Sequence, residues 1–454
     1  MIIISTLAEY QTYFWLAVAK ILRSNGYEIA FLSFDDRSTE ILRKNSFYVN
    51  SFSEFSMPTC DTNEAISLLR KENIKDVDKW IKHELNFFNI KDVGSIILKL
   101  YKCVLMSKDI CNRFKPKNPI MIQELGGFVS VTGSFLGANS SNVDCYFLEP
   151  SFFKGRFFIT KNSFEAPKIA SNFRHGDLKE VNEYLDKALD SKTVVIPEKD
   201  KDHYLLPIFK ILNIHNFRRF FQKTFDKWFL GKYQDFGHIT FHVKSHFMMF
   251  INQLRLNSYY TKLEDLDDFI YFPLHVPGDA ALTLRSPEYL DQLNTILEIH
   301  KIFNSKIVIA IKEHPACIGK TNFKSLKKLL ENSNTRLLSP KNNNFDVLDK
   351  ASMVLTINSK AGAEAILKNK LIAVLGSAFY SDSMFVNKIE KLSEIEPLFL
   401  NKKDLDLDFN KDDVLRYFSN VWDMSYLGDL YTVSESKIEE FSSSIKEFLE
   451  KNDC

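Results

Sequence analysis

The chain has 454 residues, 45% of them hydrophobic, with a formal net charge of +1. That is an ordinary globular composition, long enough for two or three domains, and its charge balance excludes binding to nucleic acid through overall charge. No apolar run approaches the roughly 18 residues of a membrane-spanning helix, and Met1-Ile-Ile-Ile-Ser-Thr lacks the basic start and cleavage site of a signal peptide. The expected location is the cytoplasm, with peripheral contact at the inner membrane as its one extension.

In chain order, Ile2 to Ser5 predicts a strand, Tyr10 to Arg23 an amphipathic helix closed by Asn25-Gly26, and Glu28 to Phe34 a second strand. The turn after the first strand, Thr6-Leu-Ala-Glu-Tyr10, has no G-x-G-x-x-G, which argues against a dinucleotide site in this Rossmann-like opening. Residues 62 to 115 are mostly helical in period. Pro119 to Gln123 predicts a strand, followed by Glu124-Leu-Gly-Gly127, a helix through Leu136, and the strand Cys145 to Leu148 ending in Glu149-Pro150. Glu149 is either a cleft carboxylate at a strand end or a surface cap of the next turn. Residues 165 to 205 are polar, with a helix at Leu178 to Leu189.

Residues 216 to 262 differ from the rest. They carry Arg218, Arg219, Lys223, Lys227, Lys232, Lys244, Arg255 and Lys262 against only Asp226 and Asp235, interleaved with aromatic residues such as Phe220, Trp228 and Phe229. Such a stretch suits an anionic membrane interface or an aromatic helical hairpin packed between domains; a nucleic-acid surface ranks below both because no RNA or DNA module accompanies it. His238, His242 and His246 fall four residues apart, a spacing that can ligate zinc, but the Glu of H-E-x-x-H is missing, and packed histidines are the plainer reading. The six cysteines contain no C-x-x-C pair and indicate neither a zinc knuckle nor a disulfide framework. Asp265-Leu-Asp267-Asp268 imitates a metal-holding D-x-D but precedes a strand instead of following one, as a solvated turn would.

The most informative stretch runs from 269 to 380. Four apolar runs, Phe269 to Leu274, Lys306 to Ile311, Met353 to Ile357 and Leu371 to Leu375, alternate with helical segments at Pro287 to Phe303, Phe323 to Glu331, Phe345 to Ala351 and Ala361 to Lys368, with a weaker strand at Thr335 to Leu338. This β-α-β alternation predicts a parallel sheet covered on both faces. Each main run ends in a polar or glycine cluster: His275-Val-Pro-Gly-Asp279, Lys312-Glu-His-Pro315, Asn358-Ser-Lys-Ala-Gly362 and Gly376-Ser-Ala-Phe-Tyr380. In an open α/β sheet that edge carries the ligand crevice, and the helix starts at Ser286-Pro287 and Ser359 offer amides suited to an anion. The tail beyond Asp404 ends in a helix from Ser434 to Lys451.

Three ordered blocks, FPLHVPGDAALTLRSPEYLDQ, IKEHPACIG and TINSKAGAEAILKNKLIAVLGSAFY, resemble the capsule polysaccharide biosynthesis glycosyltransferases, the group that includes bacterial retaining Kdo transferases. The block FLEPSFFKGRFFIT is loosely similar to their acceptor-side Glu region. The resemblance implies an α/β fold of the GT-B type, two Rossmann-like domains facing a cleft with the last helix crossing back. Residues 1–200 would form the acceptor domain, 201–262 a basic helical insertion, 263–400 the CMP-sugar domain and 401–454 a helical tail. It implies transfer of a 2-keto-3-deoxy sugar acid from a CMP-activated donor to a glycan or glycolipid acceptor, with neither cofactor nor metal.

For the residues, the resemblance implies Asp279 as nucleophile of a retaining double displacement, with Glu149 on the acceptor side. Lys312, Glu313, His314, Pro315, Asn358, Ser359, Lys360, Ala361, Gly362 and Glu364 would hold CMP, and Arg285 and Lys360 the sugar carboxylate. Each has a plainer reading: Asp279 as a turn residue bonding its own backbone, His314 as a turn cap, Ser359 as an N-cap, Glu313 as a surface charge. The sequence departs from the resemblance at His275, where the Kdo enzymes are expected to carry Gln, which leaves the donor open among Kdo and sialic, legionaminic or pseudaminic acid. A CDP-glycerol-type glycerophosphotransferase and a non-catalytic membrane-docking assembly factor are the alternatives.

Overall fold

The computed structural model describes residues 1–169, 178–192, 214–402 and 409–452. The boundary expected at 200/201, much of the polar stretch 165 to 205, and Cys454 lie outside the described residues.

Two seven-stranded sheets organise the described residues. The first contains β1 (Ile2–Thr6), β2 (Ile29–Ser33), β3 (Tyr48–Ser51), β4 (Ile120–Glu124), β5 (Cys145–Pro150) and β6 (Arg156–Lys161). The second contains β7 (Tyr260–Thr261), β8 (Phe269–Pro273), β9 (Val308–Lys312), β10 (Thr335–Leu338), β11 (Met353–Thr356), β12 (Leu371–Val374) and β13 (Asn387–Lys388), and β14 (Tyr426–Leu427) returns to the first sheet. The orders are β14-β6-β5-β4-β1-β2-β3 and β13-β12-β11-β8-β9-β10-β7. All pairings of the second sheet are parallel; the first is parallel from β3 to β5, with β6 and β14 antiparallel at its edge. This is the GT-B architecture that the three motif blocks imply.

The strands are continuous apolar runs because helices cover both faces. In the first sheet Ile3, Leu32, Met121 and Phe147 enter one core while Ile2, Ile4, Phe31, Ile122 and Leu148 enter the other. In the second, Tyr271, Ala310, Val354 and Ile372 face one core, and Ile270, Phe272, Ile311 and Leu355 the opposite one. Side-chain alternation along each strand produces this division, and a one-residue slip in register would exchange the two sets. The last helix, Glu435–Lys451, crosses back: Ile438, Phe441, Ile445 and Phe448 pack with Phe14 and Trp15 of the first helix, Glu9–Ser24.

The basic stretch forms two helices, Ile214–Trp228 and Ile239–Leu256. His238 stacks on Phe88 with ring centroids 4.0 Å apart, and His242 meets the same ring edge-on, so these two histidines are packing groups. No helix among the described residues is long and apolar enough to cross a membrane. The acidic segment Asp265 to Asp268 leads from the 3-10 turn Leu263–Asp265 into β8, and in it Asp268 accepts from Ser352 Oγ at 2.7 Å and pairs with Lys402.

Candidate active site

Strand order reverses between β8 and β11, and at such a switch point the loops after neighbouring strands part to leave a crevice. A cavity of about 800 Å³ opens there, lined from both halves of the molecule. The second sheet supplies the loops after β8, β9, β10 and β11, and the first supplies Glu124 and Glu149 from the ends of β4 and β5.

Asp279 lies on the lining, after a turn in which Gly278 has φ +82°, a conformation that strains any residue with a Cβ. The sequence reading places Asp279 in a tight loop; the structure makes it the N-cap of a short helix, Ala280–Arg285, its Oδ1 accepting from Ala281 N at 2.9 Å. The plain reading of this carboxylate is therefore observed, and its place on the cavity wall is observed beside it. Ser286 does not offer the expected anion-binding helix start. It is fully buried, and its hydroxyl accepts from Asn358 Nδ2 and Ser377 N, both at 3.4 Å.

The short helix is fastened to the first half of the molecule. His83 Nδ1 and Thr283 Oγ1 are 2.7 Å apart in a buried contact. Arg285 donates from Nη2 to Glu149 Oε1 at 2.7 Å and from Nη1 to Oε2 at 3.1 Å, and its Nε donates to Phe164 O at 2.7 Å. A third link runs from Lys360 Nζ to Ser151 O at 2.7 Å. The guanidinium fork assigned to the donor's carboxylate is thus filled by Glu149, and both oxygens of Glu149 are engaged by Arg285. Sequence proximity held no sign of this pairing across 136 positions.

His275 is buried where β8 ends. Its Nε2 accepts from Asn358 N at 3.3 Å, while Gln292 brackets its backbone with bonds to N and O. Burial lowers its pKa to about 4, so it is a neutral imidazole joining the β8 and β11 loops, with the ring proton on Nδ1. His314 begins the 3-10 turn Pro315–Cys317, its Nδ1 accepting from Ala316 N at 3.2 Å, and lines the cavity as expected. Glu313 is no surface charge: it is buried, and Oε2 accepts from Gly319 N at 3.0 Å, closing the same turn.

Ser359 caps the helix Lys360–Leu367 through Ala361 N, and Asn358, Ser359, Lys360, Ala361 and Glu364 all line the cavity. Gly362 does not. Its amide donates to Ser359 O, and the missing Cβ leaves room for the Tyr380 ring, whose hydroxyl also donates to Ser359 O. Gly362→Ala would drive a methyl into that fully buried ring and is expected to destabilise the protein by about 1–3 kcal/mol, measurable as a lower denaturant midpoint.

Several lining residues escaped the sequence reading. Phe87 comes from the helix Val77–Phe88, with the Lys320 ammonium 4.7 Å from its ring centroid. Pro340, Asn342, Asn343 and Asn344 come from the loop after β10, where an asparagine triplet at a strand end was the available signal. Asn344 links two buried groups, accepting from Tyr271 OH at 2.8 Å and donating to Glu364 Oε2. Lys312 Nζ donates to Asn342 O at 3.0 Å.

Glu364 and Lys312 also set a pH dependence. Burial pushes Glu364 up from near 4.5 to about 7 and Lys312 down from 10.5 to about 8. Between pH 4.5 and 7 the folded state keeps a proton on Glu364 that the unfolded chain has lost, so stability falls as pH rises through that window. Between pH 8 and 10.5 the unfolded chain holds the extra proton, on Lys312, so stability rises again. The joint contribution of these two groups is smallest near pH 7–8, while the buried histidines His83, His242, His275 and His300, each lowered to about 4, act in the opposite direction between pH 4 and 6.5. Glu364→Gln should remove the lower limb, worth on the order of 3 kcal/mol, in melting curves taken from pH 5 to 8.

Residues 219–383 match the capsule polysaccharide biosynthesis protein family. The match spans the three motif blocks that carried the resemblance, together with the second sheet from β7 to β12 and the two basic helices from residue 219 onward. Protein FixF of Sinorhizobium fredii (strain NBRC 101917 / NGR234) is 30% identical over 128 residues, which cover 27% of this chain and 30% of that protein. The aligned part of the chain thus spans under a third of the curated relative's length. Among solved structures, the Thermosulfurimonas dismutans KpsC beta Kdo 2,7 transferase is 12% identical, covering 76% of this chain and 89% of that one at a TM-score of 0.35. The KpsC beta Kdo 2,4 transferase of the same organism is 10% identical, covering 76% and 88% at a TM-score of 0.37. MurG of Acinetobacter baumannii is 9% identical, covering 98% and 99% at a TM-score of 0.31. Likenesses at this level carry no functional argument.

Proposed function

We propose that this chain is a glycosyltransferase that moves a 2-keto-3-deoxy sugar acid from a CMP-activated donor to a glycan or glycolipid acceptor in capsule polysaccharide synthesis. The single observation behind the reading is the cavity itself: the family-matched strand ends bring Asp279, Lys312, His314, Ser359, Lys360 and Glu364 to one wall, facing Glu149 from the other half. In this reading residues 263–400 hold the donor and residues 1–200 receive the acceptor.

CMP lies along the loops after β9 and β11. Lys312 and His314 face its phosphate, the start of the helix Lys360–Leu367 adds its positive end, and Asn344 and Glu364 face the ribose or base. Lys360 and Lys320 serve the sugar carboxylate, because Arg285 is taken up by Glu149. Asp279 attacks the anomeric carbon as the bond to the CMP phosphate oxygen breaks, and CMP leaves with the electron pair. The acceptor hydroxyl then attacks the same carbon from the vacated side. The Asp279 ester breaks, the hydroxyl proton passes to solvent, and the configuration is retained. Glu149 acts as a positioning residue, holding Arg285 and with it the helix that Asp279 caps.

The test is a donor panel read by mass spectrometry: CMP-Kdo generated in place, CMP-sialic-type sugars and CDP-glycerol, each with an oligosaccharide or lipid-linked acceptor. A product heavier by one sugar acid, with CMP released, is the expected result. Transfer of glycerol phosphate would replace this reading with a glycerophosphotransferase, and CMP release at background from every donor would remove the enzymatic reading.

A further inference from the structure

The pair of helices Ile214–Trp228 and Ile239–Leu256 has two unlike sides. The inner side is pinned: Arg37 donates to both oxygens of the buried Asp226 at 2.5 and 2.9 Å, Gln222 Nε2 donates to Glu9 Oε2 at 3.1 Å, and Asn252 Nδ2 donates to Gly319 O at 3.0 Å. The outer side is apolar and open to solvent. Phe225, Trp228 (61% exposed) and Phe229 (75%) project from the end of the first helix, and Phe247 (57%) and Leu254 (55%) form a stripe on the second. Ten of the eighteen large hydrophobic side chains most exposed among the described residues fall between Phe220 and Leu254. Scattered exposed apolar residues are ordinary; their concentration on one helix pair marks an interaction surface.

The charges around this surface say what it meets. Arg218, Lys227, Lys244 and Arg255 are exposed on the two helices, whereas the acids of the segment, Asp226 and Asp235, are buried, so every exposed ionised side chain there is cationic. Asp235 is consumed inside by Lys99 at 2.6 Å. A protein partner would have to match this outline with its own acids, while a bilayer of anionic lipid meets it without design. Aromatic rings enter the headgroup boundary, and the cations stay level with the phosphates on their flexible stems. We propose that the outer face of this helix pair seats the protein on an anionic lipid bilayer, which would bring its cleft to lipid-linked acceptors.

The full-length protein should float with vesicles of phosphatidylcholine and phosphatidylglycerol in a density gradient and stay behind with phosphatidylcholine alone. Arg218→Ser combined with Lys244→Ser should lower partition roughly thirtyfold, at about fivefold for each cation. Trp228→Ser with Phe229→Ser should abolish flotation without changing the melting curve. Equal flotation with both vesicle types, or flotation unchanged in the paired variants, would overturn the proposal. So would a free protein that sediments as a dimer and becomes monomeric in Trp228→Ser/Phe229→Ser, since the face would then belong to a second copy.

Discussion

Alanine at position 279 is expected to stop transfer, with a fall in turnover on the order of 10⁴-fold or more, the scale on which enzymes lose a covalent nucleophile. Affinity for CMP should stay within a few-fold of the parent, because the nucleotide's proposed contacts come from the loops after β9, β10 and β11. The alanine variant confounds two roles, since Asp279 also caps the helix Ala280–Arg285, and losing a cap costs about 1 kcal/mol. Asparagine separates them. Its side-chain oxygen can still accept from Ala281 N, but an amide is no nucleophile. Asp279→Asn should therefore melt like the parent and be as inactive as alanine. An active asparagine variant would reduce Asp279 to a cap.

Arg285→Ala should be the most destabilising single change on the cavity wall. The Arg285 and Glu149 side chains are only 7% and 16% exposed, and removing one partner strands the other's charge in a poorly solvated place. Breaking such a pair costs about 3–5 kcal/mol. The double variant Glu149→Ala/Arg285→Ala should be more stable than Arg285→Ala alone, because no unpaired carboxylate remains. Glu149→Gln is milder: it keeps one acceptor for the fork and should slow transfer by loosening the helix behind Asp279, with CMP binding intact. Denaturant midpoints and steady-state rates on this set separate the positioning role from direct chemistry. A Glu149→Gln variant with unchanged turnover would take Glu149 out of the mechanism.

Much of the second sheet could be read directly. Its strands are buried on both faces, so they appear as unbroken apolar runs, and the polar clusters that close them are the loops that line the cavity. The helix at Ser359 declared itself through its cap. What stayed hidden depends on contacts between distant residues. The pairing of Arg285 with Glu149, the contact of His83 with Thr283 and the role of Gly362 under Tyr380 have no local signature. Gly362 illustrates the ambiguity: glycine early in a helix suits a phosphate or a neighbouring ring equally well until the neighbour is seen. The edge strand β6 was missed because its residues, Arg156 to Lys161, pair antiparallel beside β5 and lack the helix that should follow a parallel strand. The exposed side of the basic helices was legible as composition, but which side chains face outward was not.

The most direct test of Asp279 as the nucleophile on this cavity wall is the intact mass of the protein after brief exposure to a CMP-activated sugar acid without acceptor. A mass gain of one sugar acid residue, absent in Asp279→Asn and discharged when acceptor is added, is the predicted result. Turnover by the parent with no adduct at any time, and product of inverted configuration, would contradict the account and assign Asp279 to the helix it caps.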